Sequence, residues 1–346
     1  VLTQAAILAG PEAAASVGGK PFAWWLMREL QRFGVDRFLV LTEDAGCGHR
    51  LRESAAALPR PAALAFPDSL DEAATDERLL LLDGARLLDG GLGPLIRDAG
   101  ADPPDAPCRT LLRESGAPAG AWAIGRSLLP RLGRDVSPPD GGARSTLAHG
   151  WFVDVRIPDD LARAKSEMAA RLHRPALFLD RDGVLNVDHG YVASRERWEW
   201  VAGAREAVAA ATARGWHVFV VTNQSGVARG YYSEEQMHAL HAWVSEQVAQ
   251  AGGAIDDWRH CPFHPDGSVP RFSRTSDWRK PAPGMILDLI RAWQPDVGRS
   301  LLVGDQPSDL QAAAAAGVAT ALFEGGRLDD CIAAALGRAS GTSLLP

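Results

Sequence analysis

Residues 175–186 read PALFLDRDGVLN, and this stretch decides how the second half of the chain folds. Its apolar run, Ala176 to Leu179, has the length and continuity of a strand buried on both faces of a parallel sheet. The run ends at Asp180 and Asp182, two residues apart, where an extended backbone points both carboxylates the same way. Gly183 then permits a sharp turn. Two more apolar runs end in polar residues: VFVVTN at Thr222 and Asn223, and SLLVGD at Asp305. Helical patterns lie near 204–214, 234–251, 284–293 and 308–316. Strand and helix thus alternate, and in open parallel α/β sheets the ligand crevice lies beyond the carboxyl ends of the strands. An Asp after one strand is as readily a cap or a turn residue. Several in order, with Lys280 in WRKPAPG, point to one crevice.

The same alternation runs through the first half. Strands are expected near 5–8, 37–41, 79–82 and 151–155, with a helix over 22–33. The opening VLTQAAILAG lacks a basic leader and is too short to span a membrane, so it reads as a buried strand. Pro/Gly-rich loops are expected over 98–107 and 138–144. A helix after Pro158 ending near Leu172 marks the join, which divides the 346 residues into domains 1–172 and 173–346. Both are α/β. A net charge of −7 argues against a nucleic-acid partner. Cys47, Cys108, Cys261 and Cys331 show no framework spacing, which suits a reducing compartment, by default the cytoplasm.

The residue types suggest phosphoryl chemistry. Asp180 can attack phosphorus while Asp182 exchanges a proton with the leaving oxygen. An anionic nucleophile meeting an anionic phosphate requires charge neutralisation. Magnesium held by Asp180 and Asp305, with Asp182 counted among the ligands, would supply it. Lys280 adds a cation, and Thr222 can donate to the phosphoryl oxygens. Asp309 reads either as a second-layer residue orienting the ligands or as a surface helix residue.

In order, DRDGVLN, VTNQSG, RKPAPG and VGDQPSDLQAA resemble the four motifs of the haloacid dehalogenase superfamily. NVDHGYV, TNQSGVARGYYSEEQ and CPFHPDGSV narrow the likeness to its heptose bisphosphate and histidinol phosphatases. The resemblance covers about 150 residues and implies a haloacid-dehalogenase-like parallel sheet with a minimal cap. It implies a magnesium-dependent sugar-phosphate phosphatase forming a phospho-aspartate. Removal of a heptose bisphosphate's 7-phosphate is the leading expectation, and histidinol phosphate or another small monoester the alternative. Carried over, Asp180 is nucleophile, Asp182 proton donor, Asp305 a metal ligand, and Thr222 and Lys280 stabilise the transferring group. Substrate contacts fall on Asp188, His189, Gly190, Tyr191, Asn223, Gln224, Ser225 and Arg279, with His189 and Tyr191 also readable, as the lesser alternative, as ordinary loop residues. The expected partner is a small sugar phosphate, not a nucleic acid or a membrane, and a homo-oligomer is compatible with all of this.

Departures from the family pattern matter. Many members carry a Cys-x-His and Cys-x-Cys zinc clip. Here Cys261 stands with Phe263, Ser276 and Trp278, so no zinc is expected, and packing of Phe263 on Trp278 is expected to pin the loop instead. Gln306 replaces a common Lys, and Val184 a common Thr.

The first half resembles sugar-phosphate nucleotidyltransferases, a Rossmann-type fold, through AAILAG, GGKPFAWWLMRELQRFGVDRFLVL, LLLLDGARLLD and WFVDVRIPDDLARAKSEM. The resemblance calls for a Gly-rich, Arg-bearing triphosphate loop and a metal-binding Asp. PEAAASVGGKP lacks the former, and Asp83, Gly84 and Ala85 stand where Asn-Gly-Asp would. Lys20, Asp89 and Asp154 remain, each also readable as a structural residue. A catalytically dead domain is expected, serving as a nucleotide-sugar-binding or oligomerisation module.

Overall fold

A computed structural model describes residues 2–103, 106, 108–131 and 144–340. The chain divides into two compact units, Val1–Leu172 and His173–Pro346.

In the second unit five strands form one wholly parallel sheet, in the order Asp257–Cys261, His217–Asn223, Ala176–Leu179, Leu301–Gly304, Ala319–Leu322. The Ala176–Leu179 strand is central and buried throughout, as its unbroken apolar run demands. Side-chain alternation divides the core into two layers. Leu177, Leu179, Val218, Val220, Leu301 and Val303 pack with residues of the helices Ala204–Ala213 and Glu234–Gln250. Ala176, Phe178, Phe219, Val221 and Leu302 face the other way, against Gly284–Trp293 and Pro307–Ala315. Phe178, Phe219 and Trp293 are fully enclosed, and each contributes about 1.5–3 kcal/mol by the area it removes from water. This double-sided packing holds the strand ends rigidly. Two irregular segments, 180–203 and 262–283, lie beyond them, and their only helical pieces are the short Arg195–Arg197 and Pro270–Phe272 turns.

The first unit carries a seven-stranded sheet, in the order Arg144–Leu147, Cys108–Leu112, Pro118–Gly125, Arg78–Asp83, Gln4–Leu8, Arg37–Leu41, Ala63–Ala65. Pro118–Gly125 runs antiparallel to both neighbours, and the remaining pairs are parallel. The helix expected over 22–33 spans Phe22–Gln31. The strand expected at 151–155 is Phe152–Asp154, which pairs antiparallel with Arg86–Leu88 in a separate ribbon rather than joining the main sheet. The loop expected over 98–107 is in part a helix, Leu92–Ala101, because Leu95 and Ala99 bury a common face. The loop expected over 138–144 lies outside the described residues except for Arg144, which begins a strand. Among the described residues no helix is long and apolar enough to cross a membrane.

Candidate active site

The carboxyl ends of the three central strands bring Asp180, Thr222 and Asp305 to one edge of the sheet. Lys280 enters from the segment before the Gly284–Trp293 helix. Its ammonium contacts Asp180 Oδ1 at 2.7 Å and Asp309 Oδ1 at 2.6 Å, and donates to the Val221 carbonyl at 2.9 Å. All three of its donors are thereby used. Burial alone would depress this ammonium, but the Asp180 and Asp309 charges outweigh burial and hold it above its ordinary value. Asp180 is pushed up to about 7, first by burial and then by the neighbouring Asp309 and Asp182 charges, against the pull of Lys280.

Asp180, Asp305 and Asp309 each bring a carboxylate oxygen within 4.8 Å of the others. When all three are ionised, Lys280 leaves the cluster with two negative charges in excess. Asp305 Oδ1 is buried and has no hydrogen-bond partner, while Oδ2 accepts from Gln306 Nε2 at 2.9 Å. An unpartnered oxygen on an acid grouped with two further carboxylates suits a hard divalent cation, which prefers oxygen ligands. Burial raises the Asp305 carboxyl as well. The spacing depends on glycine at two points. A Cβ at Gly183, whose φ is +86°, would sit 2.3 Å from Asp305 Oδ2, and one at Gly304 would lie 2.3 Å from Asp309 Cβ.

Asp309 is no surface residue, being 1% exposed. It sits in the first turn of the Pro307–Ala315 helix, where Oδ2 accepts from the Gln306 backbone at 3.0 Å while Oδ1 meets Lys280. Gln306, noted in the sequence only as a lost cation, therefore holds one acid by its side chain and another by its backbone.

The Asp182 side chain is not part of this cluster. Its oxygens are occupied elsewhere. Arg181 Nη2 lies 2.8 Å from both, Asn186 Nδ2 donates to Oδ1 at 3.0 Å, and Gln224 Nε2 donates to Oδ2 at 2.9 Å. Gln224 Nε2 also donates to Thr222 Oγ1 at 2.9 Å, and Tyr232 donates to Gln224 Oε1 at 2.7 Å. Burial pushes that phenol up to about 12, so it remains a donor. The Gln224 amide is thus fully engaged in orienting Asp182 and Thr222. Asn223 is engaged likewise. Its amide donates to the Lys280 carbonyl at 3.1 Å and accepts from the Lys280 N–H at 3.0 Å, so it fixes the lysine backbone.

The remaining expected contacts sit in local networks of their own. Asp188 Oδ1 caps the Gly190 N–H at 2.8 Å, and His189 Nε2 lies 2.8 Å from Glu199. Tyr191 is exposed, has φ +52°, and meets Tyr231 edge-on at 4.6 Å. Arg197 ties this loop through the carbonyls of His189, Gly190 and Tyr191. Ser225 opens the four-residue helix Ser225–Ala228. Arg279 donates weakly to the Phe263 carbonyl at 3.5 Å and is half-buried, which leaves most of its fork available. Phe263 and Trp278 both rest on the core, but Phe263 has Phe272 at 6.0 Å and the Arg274 guanidinium at 4.0 Å as its ring partners, in place of the expected Trp278. Burial raises the Cys261 thiol, which disfavours the thiolate a metal would need.

Arg181, Asn186, Gln306 and Tyr232 were not singled out from the sequence as members of this network. The only hint for Arg181 was its position between two acids, because its complete burial follows from the packing around it.

A HAD-hydrolase-like family model matches residues 277–340. The chain is similar to the D-glycero-beta-D-manno-heptose-1,7-bisphosphate 7-phosphatase of Rhodopseudomonas palustris, at 47% identity over 161 residues, 46% of this chain and 89% of that protein. It also resembles the structure of D,D-heptose 1,7-bisphosphate phosphatase from B. bronchiseptica with magnesium and phosphate, at 36% identity and TM-score 0.40, over 50% of this chain and 88% of that one. A candidate glucose-1-phosphate thymidylyltransferase from Bacillus anthracis, solved with sucrose, aligns at 10% identity and TM-score 0.39 over 47% of this chain and 94% of that one. With its ordered acids gathered at one sheet edge and nearly half of one sequence shared with the other, the chain belongs to the haloacid-dehalogenase-like phosphatase family of that Rhodopseudomonas enzyme, the phosphoric monoester hydrolases.

Proposed function

We propose that the second unit removes the 7-phosphate of a D-glycero-D-manno-heptose 1,7-bisphosphate through a phospho-aspartate. The observation that carries this reading is the cluster of Asp180, Asp305 and Asp309 around the Lys280 ammonium, with Asp305 Oδ1 unpartnered. Magnesium held by Asp180 and Asp305, with Asp309 beside them, would offset the charge of the phosphate and of the nucleophile when bound. An Asp180 oxygen attacks phosphorus, the P–O bond to sugar carbon 7 breaks, and the leaving oxygen takes a proton from Asp182 in its acid form. Water then attacks phosphorus, its proton passes to Asp182, and the P–O bond to Asp180 breaks to release phosphate. Lys280 holds Asp180 for attack, and the Thr222 hydroxyl, already an acceptor from Gln224, is left with its proton to donate to a phosphoryl oxygen. Arg279 offers a guanidinium fork for the second phosphate.

The test is phosphate release over a panel of both heptose bisphosphate anomers and histidinol phosphate. The 1,7-bisphosphate is expected to be turned over best, with activity lost on magnesium chelation and in Asp180→Asn, whose amide cannot form the acyl phosphate. Preference for histidinol phosphate would overturn the substrate assignment. Substantial turnover by folded Asp180→Asn would overturn the mechanism.

We infer that the first unit transfers no nucleotide. Arg156 Nη2 lies 2.9 Å from Asp83 Oδ2 and 2.6 Å from Asp154 Oδ2, and Arg86 Nε lies 2.9 Å from Asp154. Burial would raise the Asp154 carboxyl, but these guanidinium hydrogen bonds take it down to about 2. The two acids nearest a metal-binding role are thereby neutralised by arginines. Lys20 is half-buried with its ammonium 5.3 Å above the Trp24 ring. No pyrophosphate release from nucleoside triphosphates with a heptose or hexose 1-phosphate is expected. Measurable transfer, lost in Asp154→Ala, would refute this.

A further inference from the structure

Arg181 is the largest charged side chain fully enclosed in the second unit, and the reaction as derived above makes no use of it. Its guanidinium turns back on the adjacent Asp182. Nε lies 3.2 Å from Oδ2, and Nη2 lies 2.8 Å from both oxygens while also donating to the Val192 carbonyl at 2.7 Å. The outer edge of the fork remains. Nη1 faces His241 Nε2 at 3.3 Å, on the Glu234–Gln250 helix. Arginine is cationic at every accessible pH and can only donate, so this ring nitrogen must be the acceptor and the imidazole neutral, with its proton on Nδ1. The surroundings agree. His241 is 5% exposed, lies flat on Trp258 at 4.1 Å with 13° between the planes, and is held well below the ordinary histidine range by burial and then by Arg181. Trp258 is in turn tied by its indole N–H to Ser245 at 3.1 Å. A rigid stack therefore backs the guanidinium on the side away from Asp182.

We propose that His241 is a positioning residue for the proton donor Asp182, acting through Arg181: its neutral ring nitrogen sets the guanidinium fork that orients the Asp182 carboxyl toward the leaving oxygen. This rests on the proton-transfer role given to Asp182 above. Without the acceptor, Nη1 of a fully buried cation loses its His241 partner, and the fork is held only by Asp182 itself and the Val192 carbonyl. The fork can then shift together with Asp182, which loses its aim, while Asp180 and Lys280, tied to each other, to Asp309 and to the Val221 carbonyl, keep theirs.

The experiment exploits the leaving group. A sugar alkoxide needs a proton as the P–O bond breaks, whereas p-nitrophenolate does not. kcat/KM reports the step up to that cleavage and is measured on the full chain for heptose 1,7-bisphosphate and for p-nitrophenyl phosphate. Histidinol phosphate serves as the alkyl substrate if the panel favours it. In His241→Phe, which keeps the stack and removes the acceptor, the alkyl phosphate is expected to lose about 10-fold or more and p-nitrophenyl phosphate less than about threefold. His241→Gln, whose amide oxygen can accept, is expected to recover most of the loss. If His241→Phe does not fold, His241→Asn, with an amide too short to reach Arg181, carries the same expectation. Equal losses on both substrates, or none on either, would overturn the proposal. Asp182→Asn separates the two layers of the argument. If it shows no leaving-group selectivity, the proton-donor role itself fails. If it shows selectivity and the His241 variants do not, only the relay through Arg181 fails.

Discussion

Replacing Lys280 by Met removes the ammonium between Asp180 and Asp309 and leaves an aliphatic chain of similar length. The contacts are 2.7 and 2.6 Å, and the lysine is 4% exposed. At about 3 Å and an effective dielectric of about 20, each pair is worth about 5 kcal/mol of attraction before desolvation is subtracted. Breaking buried pairs of this kind costs about 3–5 kcal/mol, because carboxylates are stranded without a counter-charge. Asp180, already pushed up to about 7, can escape part of that cost by taking a proton, so the low end, about 3 kcal/mol, is expected at pH 8 with a chelator present. For a unit of this size each kcal/mol moves the midpoint by about 2–4 °C, which gives a fall of about 6–12 °C in the calorimetric transition of the C-terminal unit. Saturating magnesium should narrow the gap, because it returns positive charge to the same acids. Turnover should stay at least about 100-fold down even then, since the ammonium also positions the nucleophile. A midpoint within about 1 kcal/mol of wild type in chelator, or a gap that ignores magnesium, would refute this account of the cluster.

Gly183→Ala forces a side chain onto φ +86° and into Asp305, and should weaken magnesium binding at least about tenfold by calorimetry, with a backbone cost of about 1–2 kcal/mol. Unchanged affinity would show that the close approach is not needed. Asp154 has a folded value of about 2 against an ordinary 3.8, so its contribution is present above the ordinary value and is lost as pH falls toward 2. Because the Arg156 partner is 41% exposed, solvent screening reduces that contribution to about 1 kcal/mol. Asp154→Asn should therefore be less stable than wild type by that amount at pH 7 and equal to it near pH 2, and a difference independent of pH would count against the ion pairs. Purified protein should hold no stoichiometric zinc and Cys261→Ser should keep its turnover, whereas elemental analysis finding one zinc per chain would reverse the reading of the 262–280 segment.

The strand ends were legible because burial on both faces writes an unbroken apolar run, and the polar residue that stops it is conspicuous. Pro118–Gly125 in the first half was not, since PAGAWAIG is rich in Ala and Gly and has little intrinsic strand preference. It becomes a strand because the two neighbours it pairs with, Arg78–Asp83 and Cys108–Leu112, supply the hydrogen bonds. Ala63–Ala65 is similar, a three-residue edge strand whose one neighbour in the sheet is Arg37–Leu41.

For the site, the order of Asp180, Thr222, Lys280 and Asp305 along the sequence determined which groups share the crevice, because a parallel sheet gathers successive strand ends at one edge. The sequence also showed that a sharp turn is permitted at Gly183, directly after the acids. Which partners hold each carboxylate was decided only by the tertiary structure. Asp182 and Asp309 have the same functional group, yet one is taken by Arg181, Asn186 and Gln224, and the other faces Lys280. Asn223 and Gln224, read from the sequence as substrate contacts, spend their amides on Lys280, Asp182, Thr222 and Tyr232. Spacing along a strand gives the direction of a side chain, but a hydrogen bond needs its partner within about 3 Å. Those partners come from segments tens of residues away, and only the packed fold brings them into reach.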